Sequence, residues 1–276
     1  MKYIQAILRG IGQVMFQNNS YSGALFLVGI SYNSWLLGIA ALLGTVISTA
    51  FAQFLRYSKE DIQNGLYGFN GTLTGIAIFS FFKPDIIAFA ALFIGAALST
   101  IVMHFLKKVL PPFTAPFVLS TWAVMYSLIF VFNNPTMAPL EFAEGSFNLF
   151  TASCNSMGQV MFQENVVTGL LFLLAIFINN RLMAVYAVYA AVLGSLAGWF
   201  TEQVSSVNAG LMGYNAILCA IALVGKRMSD FLWISLAIVL STWVHIGLGE
   251  TGIITLTAPF VIVTWGVLWV KKLSRT

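Results

Sequence analysis

The residues with chemistry to offer in this chain are neutral. Gln, Asn, Thr, Phe and Tyr stand beside Gly and Pro in otherwise apolar segments, and they come in matched pairs. Gly12-Gln13-Val14-Met15-Phe16-Gln17 recurs unchanged as Gly158-Gln159-Val160-Met161-Phe162-Gln163, 146 residues later. Gly65-Leu66-Tyr67-Gly68-Phe69-Asn70 returns as Gly210-Leu211-Met212-Gly213-Tyr214-Asn215 after 145 residues. Thr114-Ala115-Pro116-Phe117-Val118 returns as Thr257-Ala258-Pro259-Phe260-Val261 after 143, and Thr121-Trp122 and Thr264-Trp265 extend that match. None of the three blocks holds a carboxylate, a basic residue or a histidine.

Amides and hydroxyls exchange hydrogen bonds without carrying charge. Pro116 and Pro259 lack an N–H, which leaves the carbonyls one turn earlier free, and Thr114 and Thr257 lie two residues before them. Such carbonyls and hydroxyls would line a cavity with fixed acceptors. Phe16, Phe162, Phe69 and Tyr214 would give it flat apolar walls. Gln13 and Gln159 taken singly would serve as hydrogen-bond ties between helices; their repetition at the ends of two equivalent segments points to a shared lining. This is chemistry for passage. No HExxH, GxSxG, P-loop or paired catalytic carboxylate appears, so no enzyme and no cofactor is implied.

The elements that position these groups are membrane helices. The chain is 59% hydrophobic and 8% charged, against about 25% charged in soluble domains. No charged residue or histidine occurs between Arg9 and Arg56, and uncharged stretches also run over 86–103, 109–140, 203–225 and 251–270. Each can hold a helix of the roughly 20 residues that cross a bilayer core. The apolar runs predict spans near 20–31, 34–55, 62–81, 85–106 and 114–132, and a second set near 167–179, 183–200, 205–225, 231–248 and 256–270. Before each set lies a shorter segment, 3–17 and 149–163, that ends in the GQVMFQ block. These two read as re-entrant half-helices, which irregular backbone permits only where protein or a water-filled cavity covers it. The expected fold is an all-α polytopic membrane protein of two inverted repeats, each with about five transmembrane helices and one re-entrant half-helix, enclosing a central pore. The repeats run over 1–132 and 149–276, joined by an external connector at 133–148 that contains Pro135, Pro139, Glu141 and Glu144.

Charge sets the orientation. With five crossings per repeat the second copy inserts upside down, and 12 of the 13 basic residues then share one side, leaving Lys83 opposite. By the positive-inside rule both termini are cytoplasmic, and an inverted repeat places its path near midplane. The net charge of +4 is therefore topological and does not imply a nucleic-acid partner. No removable signal peptide is apparent at 1–12, and Cys154 and Cys219 read as small packing residues.

Leu110-Pro111-Pro112-Phe113-Thr114-Ala115-Pro116-Phe117 fits the LPxxTxPF signature of urea transporters. The blocks around Gln13, Gln159 and Gly65 are also similar to that family, and the resemblance, to urea channels of bacterial type, covers almost the whole chain. The second copy, from Ile253 to Phe260, keeps the Thr-x-Pro-Phe core without the leading Leu-Pro, and Tyr214 stands where Phe69 does. The resemblance implies passive, channel-like permeation of urea, in homotrimers with a pore in each protomer, in a plasma (bacterial inner) membrane whose lipid is a further partner. It implies that Phe16 and Phe162 sandwich urea near opposite ends of the narrow filter, or flank it with Phe69 and Tyr214. Val14, Val160, Leu73 and Leu218 match its apolar positions, Thr114 and Thr257 its middle, and Gln13 and Gln159 the half-helix ends. Two other readings stay open. His104 and His245, near corresponding positions, would suit an ammonium-type channel, and Glu164, Glu202 and Glu250 lie close enough to span ends for an ion-coupled small-solute transporter.

Overall fold

The computed structural model describes residues 2–138 and 145–273. Pro139, Glu141 and Glu144 of the connector, and Arg275 of the basic set, lie outside the described residues. The described residues form fourteen helices and no strand, and the protein is all-α and polytopic. The chain falls into two compact units, Met1–Leu140 and Glu141–Thr276.

The first unit contains α1 (Lys2–Gln13), α2 (Ser20–Asn33), α3 (Trp35–Phe54), α4 (Lys59–Gln63), α5 (Gly68–Phe81), α6 (Ile86–Leu106) and α7 (Ala115–Phe130). The second contains α8 (Leu149–Gln159), α9 (Val166–Asn179), α10 (Arg181–Trp199), α11 (Val204–Asn208), α12 (Tyr214–Ala222), α13 (Met228–Glu250) and α14 (Ala258–Leu273). Helix starts follow the capping residues. Asn19, Ser34 and Asp85 accept N–H bonds at the first turns of α2, α3 and α6, and Asn148, Asn165 and Asn180 do so for α8, α9 and α10.

Four helices, α3, α6, α10 and α13, are long and apolar enough to cross a bilayer. At 1.5 Å per residue the 20 residues of α3 reach about 30 Å, whereas the 14 of α5 reach about 21 Å and the 9 of α12 about 14 Å. The single spans expected over 62–81 and 205–225 are thus divided, into α4 plus α5 and α11 plus α12. Gly65 at φ +75° and Gly210 at φ +85° make the breaks. A Cβ at Gly65 would lie 2.4 Å from the Gly10 nitrogen, and one at Gly210 would lie 2.3 Å from the Ser156 nitrogen. The polar residues of α4 and α11, Lys59-Glu60-Asp61 and Ser205-Ser206 among them, mark the shorter arm of each break, and the left-handed glycines place the turn.

The short helices are the centres of their units. Gly68 to Phe79 of α5 and Tyr214 to Ile221 of α12 are buried without interruption, as expected of helices apolar on every face. Small residues let α3 approach α5: a Cβ on Gly44 would sit 2.0 Å from the Gly71 carbonyl oxygen, and one on Gly75 would sit 2.2 Å from that of Ala40. Hydroxyls tie α3 to α5 and to α6. Thr45 Oγ1 meets Thr72 Oγ1 at 2.5 Å, and Ser48 Oγ donates to the Ala96 carbonyl of α6 at 2.8 Å. Just beyond α6, the Lys107 ammonium pairs with Asp61. Burial opposes that charge, but the Asp61 carboxylate and the Tyr67 hydroxyl outweigh it and hold Lys107 above the ordinary lysine pKa.

Candidate functional site

Helices α1 and α8 end the same way. After Gln13 the chain turns through Val14 and Met15 to Phe16 at φ +60°, and the Gln17 N–H donates back to the Gly12 carbonyl at 3.0 Å. After Gln159 it turns to Phe162, also at φ +60°, and the Gln163 N–H donates to Gly158 at 3.1 Å. Each is a left-handed helix cap closed by a bond from the residue that follows the left-handed one. Glycine usually fills such a position. An L side chain there costs roughly 1–2 kcal/mol, yet both repeats place phenylalanine in it. The Gln17 and Gln163 amides brace the turns by donating to the carbonyls of Met15 (2.5 Å) and Met161 (2.7 Å).

The glutamine that closes each of these helices anchors its end. Gln13 Nε2 donates to the Asn64 carbonyl at 3.0 Å, and Gln159 Nε2 donates to that of Ala209 at 3.1 Å. Both acceptors immediately precede the left-handed glycines. The tie uses the amide nitrogen and orients Oε1, an acceptor for some other donor.

The third block opens α7 and α14. Thr114 and Thr257, each 1% exposed, directly precede the two helices. Before them, Phe113 at φ +45° and Leu256 at φ +47° are again non-glycine residues in left-handed backbone. The expectation that Pro116 and Pro259 free carbonyls one turn earlier is overturned. Both prolines lie in the first turn of their helices, where a missing N–H leaves no intrahelical bond unmade. The carbonyls in question are occupied: Pro112 accepts from Ala115, and Thr255 from Ala258, both at 3.0 Å.

A pair of asparagines completes these helix starts. Asn70 Oδ1 accepts the Phe117 N–H at 3.1 Å, and Asn215 Oδ1 accepts the Phe260 N–H at 3.2 Å. Thr114 and Thr257 then accept from Val118 and Val261 through their carbonyls. In each unit the second block is thus bonded to the third, and the first to the residue before the second. In the first unit Phe16 also meets Phe113 edge to face, with centroids 6.2 Å apart. Phe69 and Tyr214 start α5 and α12 and are 6% and 8% exposed, while Leu73, Leu218 and Val160 are fully buried and Val14 nearly so. Gln13, Phe16, Gln159 and Phe162 are only partly buried. Sequence reasoning passed over Asn70, Asn215, Gln17 and Gln163 as individual residues. Their exact recurrence in the blocks was the available signal.

His104 lies outside this arrangement, whereas His245 reaches it through Tyr214. His104 stacks on Tyr57, with centroids 3.8 Å apart, and its Nδ1 lies 3.4 Å from the Tyr67 hydroxyl. His245 Nδ1 lies 3.0 Å from Thr255 Oγ1 and 3.4 Å from the Tyr214 hydroxyl. No Asp or Glu among the described residues is buried. The constellation in each unit is therefore neutral: amide and hydroxyl groups, partly buried aromatic faces and strained turns.

The urea transporter family profile matches residues 4–272. The chain belongs to the urea transporter family. Curated relatives within reach are proteins named urea transporter 1 from Rattus norvegicus, 30% identical over 251 residues, and from Ovis aries, 29% identical over 252. Each alignment takes in 83% of this chain and 65% of the relative, so the chain spans about two thirds of the length of the urea transporters it matches.

Proposed function

We propose that the protein conducts urea passively across a membrane. Its filter is lined by Gln13, Val14, Phe16, Phe69, Leu73 and Thr114 of the first repeat, and by Gln159, Val160, Phe162, Tyr214, Leu218 and Thr257 of the second. The observation that carries the reading is the strain kept at Phe16 and Phe162. Backbone strain persists where surrounding structure imposes it, and it gathers at ligand clamps and switch regions. Here it holds an aromatic ring, duplicated, beside an oriented glutamine acceptor. Family membership and the names of the relatives support urea as the permeant.

The chemistry suits a small, flat, neutral amide. Urea's amino groups donate, and Gln Oε1 and Thr hydroxyls accept, which offsets a desolvation that uncompensated costs several kcal/mol. Aromatic faces accept a planar molecule and give a hydrated ion nothing in exchange for its water. Coupled transporters keep carboxylates within the membrane; the unburied acids of the described residues favour passive flow. The reading extends to inverted repeats at 1–132 and 149–276, a trimer with one pore per protomer, no enzymatic activity, and cytoplasmic termini in a plasma membrane.

The test is urea efflux from proteoliposomes. Flux should rise linearly with the urea gradient and ignore imposed proton or sodium gradients. Dependence on either ion gradient would discard the channel, and preferential passage of methylammonium would favour the ammonium-type reading.

A further inference from the structure

The first unit carries a cavity of 530 Å³ that the permeation reading does not use, bounded by the start of α1, the end of α3, and α4. Ala6 and Ile62 are its buried floor, Tyr3 and Tyr57 add aromatic surface, and Lys2, Arg56 and Lys59 stand around it. No carboxylate lines it. Among the described residues none of these three cations has an ion-pair partner, and the one acid of α4 that is engaged, Asp61, is taken by Lys107.

We propose that this cavity binds a phosphate-bearing anion, with Lys2, Arg56 and Lys59 as its cationic ligands. Three observations converge on it. First, three exposed cations line one cavity that has no carboxylate in its lining, and such a single-sign surface attracts an anion. Second, Arg56 ends α3 at φ +56°, in a cap closed by the Tyr57 N–H donating to Ala52 at 3.0 Å. Glycine fits that position and arginine strains it, so the guanidinium is retained against a local penalty. Third, the repeat supplies an internal control. At the 146-residue offset Lys2, Arg56 and Lys59 correspond to Asn148, Glu202 and Ser205, and at 145 they correspond to Phe147, Thr201 and Val204. The duplicated machinery therefore does not need these cations. Topological charge alone asks only that basic residues lie on one side; it asks for neither a shared cavity nor a strained arginine. The ligand chemistry is a phosphate group, from a phospholipid head group or from a soluble phosphate ester.

The experiment uses the full chain in nanodiscs at constant ionic strength, and it reads binding, so it is independent of urea transport. One arm titrates inorganic pyrophosphate onto protein in phosphatidylcholine discs and follows the thermal midpoint. The other measures retention of phosphatidylglycerol by native mass spectrometry. Saturable binding in either arm is expected, and the arm identifies the source. Arg56→Gly and Lys59→Gln should each weaken it about tenfold, the loss of one charge-assisted hydrogen bond, while Lys83→Gln leaves it unchanged. Arg56→Gly also relieves the left-handed strain, so its unliganded midpoint should hold or rise and lost binding cannot be blamed on unfolding. Equal binding by wild type and the Arg56→Gly/Lys59→Gln double variant, an equal loss in Lys83→Gln, or no binding in either arm would overturn the proposal.

Discussion

Phe69 and Tyr214 occupy matching places at the starts of α5 and α12, and one hydroxyl separates what they do. The Tyr214 hydroxyl donates to the Leu256 carbonyl at 2.6 Å and lies 3.3 Å from Thr255 Oγ1, which in turn reaches His245. Phe69 has no such group. Around this difference the repeats keep the same left-handed phenylalanine, the same glutamine tie and the same asparagine on the first turn of the last helix. What recurs is the set of turns and neutral groups that each unit builds for itself; what differs is the side chain behind the residue before Thr114 or Thr257. The first unit braces that position with the Phe16–Phe113 ring contact, and the second uses a polar chain. Two solutions for one backbone conformation imply that the conformation is what matters.

Four experiments would break or sharpen this comparison. The largest effect is expected from Thr114→Trp and Thr257→Trp, each of which should bring urea efflux to the protein-free background while the protein still elutes as a folded species. Full flux in both would move the path away from these threonines. Next, Gly65→Ala and Gly210→Ala should each cost more than the roughly 1–2 kcal/mol of a left-handed L residue, because the added Cβ also meets backbone. Thermal unfolding in detergent would show the midpoints falling together, and a harmless exchange at either site would break the equivalence. Third, Asn70→Ala and Asn215→Ala leave a buried N–H, of Phe117 and Phe260, without an acceptor, at about 1–3 kcal/mol each. Similar losses are expected, and strongly unequal ones would mean that only one repeat depends on the tie. The smallest effect is Tyr214→Phe, which gives the second unit the chemistry of the first. Loss of one hydrogen bond should cost about 1 kcal/mol, and Phe69→Tyr should bring no matching gain.

Much of this architecture is legible in the residue order. Low charge demands a membrane, the two-fold recurrence of GQVMFQ marks the ends of α1 and α8, and Asn19 with Asn165, like Ser34 with Asn180, announces paired helix starts. The breaks before α5 and α12 were not read from the sequence, although the polar residues of α4 and α11 before Gly65 and Gly210 were a signal; the left-handed backbone at each glycine is a dihedral that residue type alone does not fix. The role of the prolines was misread for a related reason: Pro inside a helix and Pro in its first turn look alike until the helix start is known. Gln13 and Gln159 were found by repetition, but not the carbonyls of Asn64 and Ala209 that hold them, since main-chain acceptors leave no mark on the side-chain sequence.

Composition and repetition by themselves determined that this is a duplicated membrane protein with a neutral core, because burial in lipid selects residue types directly; the stretch from Leu110 to Phe117 added the resemblance to urea transporters. Only the tertiary structure decided that both repeats hold a phenylalanine in strained backbone, that asparagine caps the last helix of each, and that three exposed cations line one cavity. Those facts depend on backbone dihedrals and on contacts between residues some 50 positions apart, such as Gln13 with Asn64 at a separation of 51, which no local pattern encodes.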